Sequence, residues 1–184
     1  QLIITEKPSV AINIANALGV KNRKDGYIEN DKYIISWCYG HLDTLANADS
    51  YDGKYAIWRK EDLPILPAPW RLKIADKIKY DHFKILKSLM YRKDVTEIIN
   101  ACDAGREGEL IFRNMFKLSE CRKPVKRLWI SSMEDEAIIE GFKHLKPSKF
   151  YDNLYFAADC RAKADWLVGI NLTRFFSVIY HRTL

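Results

Sequence analysis

Three carboxylates, Asp103, Glu107 and Glu109, fall within the short stretch Asn100-Ala-Cys-Asp-Ala-Gly-Arg-Glu-Gly-Glu-Leu110. At ~4 Å and an effective dielectric of about 20, two like charges repel by about 4 kcal/mol. Such a cluster must fan out into water or be neutralised by a proton or a cation. A fourth carboxylate, Glu6, stands just after the apolar run Leu2-Ile-Ile-Thr5 and is followed by Lys7. Acidic oxygens of this kind, without a CxxC pair, suit a hard divalent cation such as Mg²⁺. That ion takes one or two protein carboxylates and keeps several waters or phosphate oxygens. A lysine beside them can contact a phosphate oxygen.

The elements that would position these groups can be read from local pattern. Leu2–Thr5 reads as a buried strand, and Pro8 opens a helix with Val10, Ile14, Ala17 and Leu18 on one stripe, closed by Gly19. Tyr33 to Tyr39 reads as a second strand running into Gly40-His41-Leu42. Residues 43–70 read as a long loop with three prolines. Residues 71–92 are basic and helix-compatible. Val95 to Ala101 reads as a strand, followed by the acidic turn and a helix from Leu110 to about Leu118. Val125 to Ser131 is a further strand, and Met133 to Leu145 a further helix. Strand–helix alternation predicts an α/β fold, a mainly parallel sheet flanked by helices. If the strands ending at Glu6 and Asp103 are neighbours, their carboxylates converge at one edge, where open α/β sheets bind ligands. After Lys146-Pro147 the pattern becomes one long or kinked helix, Phe150 to Val178. The expected division is therefore 1–146 and 147–184.

The chain has 184 residues, 48% hydrophobic, with a net charge of +6. That charge is uneven. Residues 54–93 hold 11 basic and 4 acidic side chains, whereas residues 94–142 hold 7 and 10. An acidic nucleus flanked by basic segments suits a metal-dependent site acting on a polyanion; an ordinary solvated surface gives the same balance. No apolar run approaches the ~18 residues of a membrane span. The four cysteines, Cys38, Cys102, Cys121 and Cys160, are scattered, which indicates neither zinc nor a disulfide framework and suits a reducing interior. There is no GxxxxGK[ST] phosphate loop and no GxGxxG fingerprint.

Five blocks in order carry a further reading. They are Glu6-Lys-Pro-Ser9, Trp37-Cys-Tyr-Gly-His-Leu42, Asp103-Ala-Gly-Arg-Glu-Gly-Glu109, Arg127-Leu-Trp-Ile-Ser-Ser132 and Arg161-Ala-Lys-Ala-Asp-Trp-Leu-Val-Gly-Ile-Asn-Leu-Thr-Arg174. Together they resemble the Rossmann-like Toprim domain of type IA DNA topoisomerases and the segment that follows it, nearest to the topoisomerase III branch found in bacteria. The resemblance implies an enzyme that cleaves, passes and reseals single DNA strands with Mg²⁺, without ATP and without zinc. It implies that Glu6, Asp103 and Glu107 form the metal side of the catalytic site and that Lys7 sits against the scissile phosphate. It also implies that His41, Arg106, Arg161, Asp165 and Arg174 line the DNA path. Residues 1–146 would be the metal-binding catalytic domain and 147–184 the start of a helical DNA-groove domain.

Two departures qualify this. Many relatives carry a second aspartate where this chain has Gly105, which predicts one Mg²⁺ rather than two. None of the ten tyrosines matches the context of the family's nucleophile. The chain is therefore expected to be an N-terminal fragment, inactive alone, whose partners are single-stranded DNA and the remaining C-terminal domains of the same enzyme. Its expected setting is the bacterial cytoplasm and nucleoid, with no membrane. Other metal-dependent Toprim chemistries, of the nuclease or primase type, share the acidic signature but not the Arg161–Arg174 block. A non-catalytic single-strand binder would share the basic surface but not the need for metal.

Overall fold

The computed structural model describes residues 1–180; His181 to Leu184 lie outside the described residues. The elements in order are β1 (Leu2–Thr5), α1 (Pro8–Ala17), β2 (Asn22–Lys24), β3 (Tyr27–Glu29), β4 (Ile34–Trp37), β5 (Asp43–Leu45), β6 (Leu72–Ile74), α2 (Lys77–Met90), β7 (Ile98–Ala101), α3 (Arg106–Ser119), β8 (Val125–Arg127), α4 (Asp135–Lys143), β9 (Lys146–Pro147) and α5 (Asp152–Tyr180). Two compact units result. The first comprises Gln1–Asp43 and Ile74–Ala158, and the second Thr44–Lys73 with the chain from Asp159 onward.

The first unit is built on a seven-stranded sheet in the order β2-β3-β4-β1-β7-β8-β9. Its centre, β4-β1-β7-β8, is parallel; β2 and β3 on one side and β9 on the other are antiparallel. The continuous apolar runs predicted as buried strands are buried because both faces are covered. Leu2, Ile4, Ile34 and Ile98 face α2 and α3 through Phe83, Leu86, Met90, Ile111 and Met115. Ile3, Ile35 and Ile99 face α1 and α4 through Ala11, Ile14 and Ile138. Successive strand residues point to opposite faces, so one short run supplies both cores.

Local differences from the sequence reading have identifiable causes. Helix α3 begins at Arg106, not Leu110, so Glu107 and Glu109 belong to its first turn, where the helix dipole favours negative charge. The Asp25-Gly26 turn joins two short strands as a hairpin, with Gly26 at φ +81°. Residues 71–92 divide into β6 and α2, the helix starting where the Asp76 side chain accepts from the Lys79 amide at 2.9 Å.

In the second unit, residues 44–73 are folded rather than loose, with short 3-10 turns between β5 and β6. Their anchors lie on α5. The Trp166 indole donates to the Ala46 carbonyl at 3.2 Å and meets Trp70 edge to face at 5.5 Å. Asn171 clasps the backbone of Ile65, accepting from its amide at 2.6 Å and donating to its carbonyl at 3.0 Å. No helix among the described residues is long and apolar enough to cross a membrane.

Candidate metal and phosphate site

Strands β1 and β7 are hydrogen-bonded neighbours, with Thr5 opposite Ala101. That register brings Glu6 and Asp103 to the same carboxyl edge of the parallel centre. Between them lies the Lys7 ammonium, 3.4 Å from Glu6 Oε1 and 3.3 Å from Asp103 Oδ2. The hydrogen bond to Asp103 and then the charge of Glu6 hold the Lys7 amine above its ordinary pKa. The backbone here is pinned. The Thr5 hydroxyl lies 2.9 Å from the Lys7 carbonyl, and the Gly40 amide donates to the Glu6 carbonyl at 2.9 Å.

Each of the other clustered carboxylates has its own cation. Glu107 lies 3.8 Å from His41 Nε2 and 3.7 Å from Arg106 Nε, in an exposed group worth little in stability. Glu109 is fully buried. Arg127, also fully buried, donates to it at 2.6 Å, Arg113 at 3.0 Å and the Asn100 amide at 3.1 Å. The rest of the Arg127 guanidinium serves backbone. It donates to the carbonyls of Cys102 (2.6 Å), Leu128 (2.7 Å), Asn100 (3.2 Å) and Asp103 (2.8 Å). The repulsion expected among the acidic residues is thus answered by the protein's own side chains, and the backbone on either side of Asp103 hangs on one arginine.

Glycine explains the closeness. A Cβ on Gly108 would stand 2.1 Å from the Asp103 carbonyl oxygen, so only glycine lets α3 approach the turn this tightly. A Cβ on Gly105 meets nothing within 4 Å.

The structure therefore joins Glu6, Lys7 and Asp103, and separately joins Glu107, His41 and Arg106. Among the described residues, no three His, Cys, Asp or Glu side chains are close enough together to hold a metal ion. Arg161 and Asp165 form an exposed i,i+4 pair at 3.6 Å in the second unit. Arg174 is buried there, donates to the Tyr55 carbonyl at 2.8 Å and lies over the Trp58 ring at 5.2 Å. Sequence reasoning gave no role to Arg127 or Asn100, and offered Arg113 only as an alternative partner of Glu107, whereas it pairs with Glu109. The available signal was an arginine directly before the apolar run Leu128-Trp-Ile130, since a charge placed in a core must be paired.

Asp43 is a further buried carboxylate, 5% exposed, which accepts from Asn114 Nδ2 at 2.9 Å. Burial pushes its carboxyl above the ordinary aspartate value, against the opposing pull of Asn114 and His41. Between the unfolded value near 4 and that raised value, the native state holds the extra proton. The contribution of Asp43 to stability is therefore fully present below pH ~4 and is lost as pH rises through the folded pKa. Asp43→Asn keeps an acceptor for Asn114 and does not ionise. Its stability relative to the parent chain, read from urea melts, should rise between pH 4 and pH 7; a difference independent of pH would refute this assignment.

Comparison with known proteins bears on the same residues. Residues 1–133 match the family model of the Toprim domain. The chain belongs to the Toprim family. Over 183 residues, all of this chain, the Toprim sequence is 49% identical to DNA topoisomerase 3 of Bacillus cereus and 46% identical to DNA topoisomerase 3 of Bacillus subtilis. The chain spans a quarter of the length of each of these relatives. Among solved structures, the full-length topoisomerase I of Thermotoga maritima matches with a TM-score of 0.63 and 22% identity, over 94% of this chain and 25% of that one. This likeness shows that the Toprim fold described above is shared.

Proposed function

We propose that this chain is the N-terminal, metal-binding part of an ATP-independent type IA DNA topoisomerase of the topoisomerase III kind, acting on single DNA strands. One observation carries the proposal. A single ammonium, Lys7, is held between two carboxylates at the ligand-binding edge of a Toprim sheet. Residues 1–146 act as the catalytic metal-binding part, and 147–184 begin a helical groove domain. The bacterial relatives support a cytoplasmic, nucleoid-associated setting.

The donor set fits Mg²⁺: two oxygen-bearing side chains already arranged around one positive charge, on a pinned backbone. Glu6 and Asp103 would hold one ion, with Glu107 close by on α3. Bound there, it supplies positive charge to the non-bridging oxygens of a phosphate. Lys7 places a second positive charge beside the same oxygens and stabilises charge developing on them. Arg106 and His41, beside Glu107, line the DNA path. Arg161, whose ion pair with Asp165 is solvent-exposed and weak, is free to take a backbone phosphate. Arg174 is better suited to holding residues 55–58 in place. The nucleophilic tyrosine is supplied from outside this chain, as are the remaining domains that complete the groove.

Titration with Mn²⁺, followed by electron paramagnetic resonance, tests this. The chain should bind one ion, and Glu6→Gln and Asp103→Asn should each weaken binding about tenfold or more. Lys7→Ala should strengthen it, because the competing ammonium is gone, while weakening the binding of a labelled single strand. Unchanged Mn²⁺ affinity in both carboxylate variants would sink the proposal and favour a binder without metal chemistry.

A further inference from the structure

Tyr39 stands out in the turn that follows β4. Its backbone is left-handed, φ +54°, and Gly40 beside it is also left-handed at φ +70°. Glycine or asparagine makes such a turn at little cost; a bulky aromatic there is a true outlier. A strained residue persists only where its surroundings over-determine it, and such residues gather at ligand sites. The surroundings here are aromatic. The Tyr39 ring lies edge to face on His82 at 4.6 Å and on Trp37 at 6.1 Å. His82 itself stacks on Trp37 at 5.7 Å and places Nε2 2.6 Å from the Trp37 carbonyl oxygen. Yet the tyrosine is 47% exposed, so this support does not bury it.

The turn is also tied to the candidate site. The Gly40 amide donates to the Glu6 carbonyl, so Tyr39 and Lys7 flank a backbone pair joined by a 2.9 Å hydrogen bond. That bond puts Tyr39 and Lys7 on adjoining backbone at one edge of the sheet. Aromatic rings bind single strands by stacking on base faces without regard to sequence.

We propose that Tyr39 is a stacking platform for a nucleobase adjoining the phosphate held at Lys7. The proposal rests on the single-strand reading given above and names the part of the ligand that this turn would recognise. The strain is then the structural cost of holding an aromatic ring, rather than a glycine, at the sheet edge.

The test couples stability to binding. Urea melts and fluorescence anisotropy would be measured for the 184-residue chain. The probe would be a labelled oligothymidylate of roughly 4–16 nucleotides, the span such sites occupy, together with strands carrying one abasic position in turn. Tyr39→Asn should raise the urea midpoint, since asparagine accepts the turn, and weaken strand binding by about 5- to 100-fold. Tyr39→Phe should restore the affinity. One abasic position should cost the parent chain affinity and cost Tyr39→Asn nothing, whereas Lys7→Ala should weaken every strand alike. Tyr39→Asn binding as tightly as the parent would overturn the platform and leave the single-strand reading standing. So would a loss of stability with no change at the abasic position, which marks the ring as packing. If the parent chain fails to bind the strand at low salt, both readings fall.

Discussion

Replacing Arg127 by methionine should lower the stability of the Toprim sheet by at least about 3–5 kcal/mol, the usual cost of breaking a buried ion pair by removing one side of it. For a chain of this size that is a fall in melting temperature of roughly 6–20 °C. Glu109, fully buried, would keep only Arg113 and the Asn100 amide. The double variant Arg127→Met with Glu109→Leu divides the effect. Replacing a buried ion pair by apolar groups of similar volume is often neutral or stabilising, so the charge component should return. The backbone component should not, because the carbonyls of Cys102, Leu128, Asn100 and Asp103 all accept from that guanidinium. The Asn100 carbonyl keeps the Leu128 amide at 2.9 Å, but the other three lose this donor, and a carbonyl left unpaired in the core costs about 1–3 kcal/mol. The double variant should therefore remain below the parent chain in urea melts, and its Mn²⁺ affinity should stay weak because Asp103 has lost its tether. Full recovery of both quantities would show that Arg127 serves only Glu109.

Gly108→Ala is expected to be the second most damaging small change. Alanine in a helix is ordinarily favoured over glycine by about 1 kcal/mol. Here the added methyl would overlap the Asp103 carbonyl oxygen at 2.1 Å, and both the Asp103 nitrogen and carbonyl carbon lie within about its contact distance. All three are backbone atoms, so no rotamer change relieves the overlap. Either α3 or the turn must move, at a typical overpacking cost of about 1–3 kcal/mol. The move also shifts Asp103 relative to Lys7, so metal affinity should fall together with stability. Gly105 provides the contrast: its backbone is extended and its Cβ position is open. Gly105→Ala should leave both readings unchanged, and Gly105→Asp should add a carboxylate without loss of stability. A Gly108→Ala chain as stable as its parent and binding Mn²⁺ equally well would contradict the close-approach argument.

These two glycines show how far the sequence could be read. Asp103-Ala-Gly-Arg-Glu-Gly-Glu109 identifies both as parts of one motif, and nothing local separates them. Only the path of α3 past the turn makes one indispensable and the other free. The acidic residues behave likewise. Glu107 and Glu109 are two positions apart, yet one is exposed beside His41 and Arg106 and the other is fully buried on Arg127. A two-residue step on a helix turns the side chain through more than half a circle, from solvent to core.

By itself, the sequence determined the longer local elements but not the short strands β2, β3, β5, β6 and β9. Apolar runs with two-sided burial gave β1, β4 and β7, and helical stripes gave α1, α3 and α5, because these periods depend on residues a few positions apart. It also placed Glu6 and Asp103 at strand ends. What only the tertiary structure decided was pairing across long separations. It made β1 and β7 neighbours, put one ammonium between two carboxylates, chose a different cation for each remaining carboxylate, and folded residues 44–73 onto α5. Those choices are set by which distant surfaces exclude water together and which buried charges find partners. No local period records either one.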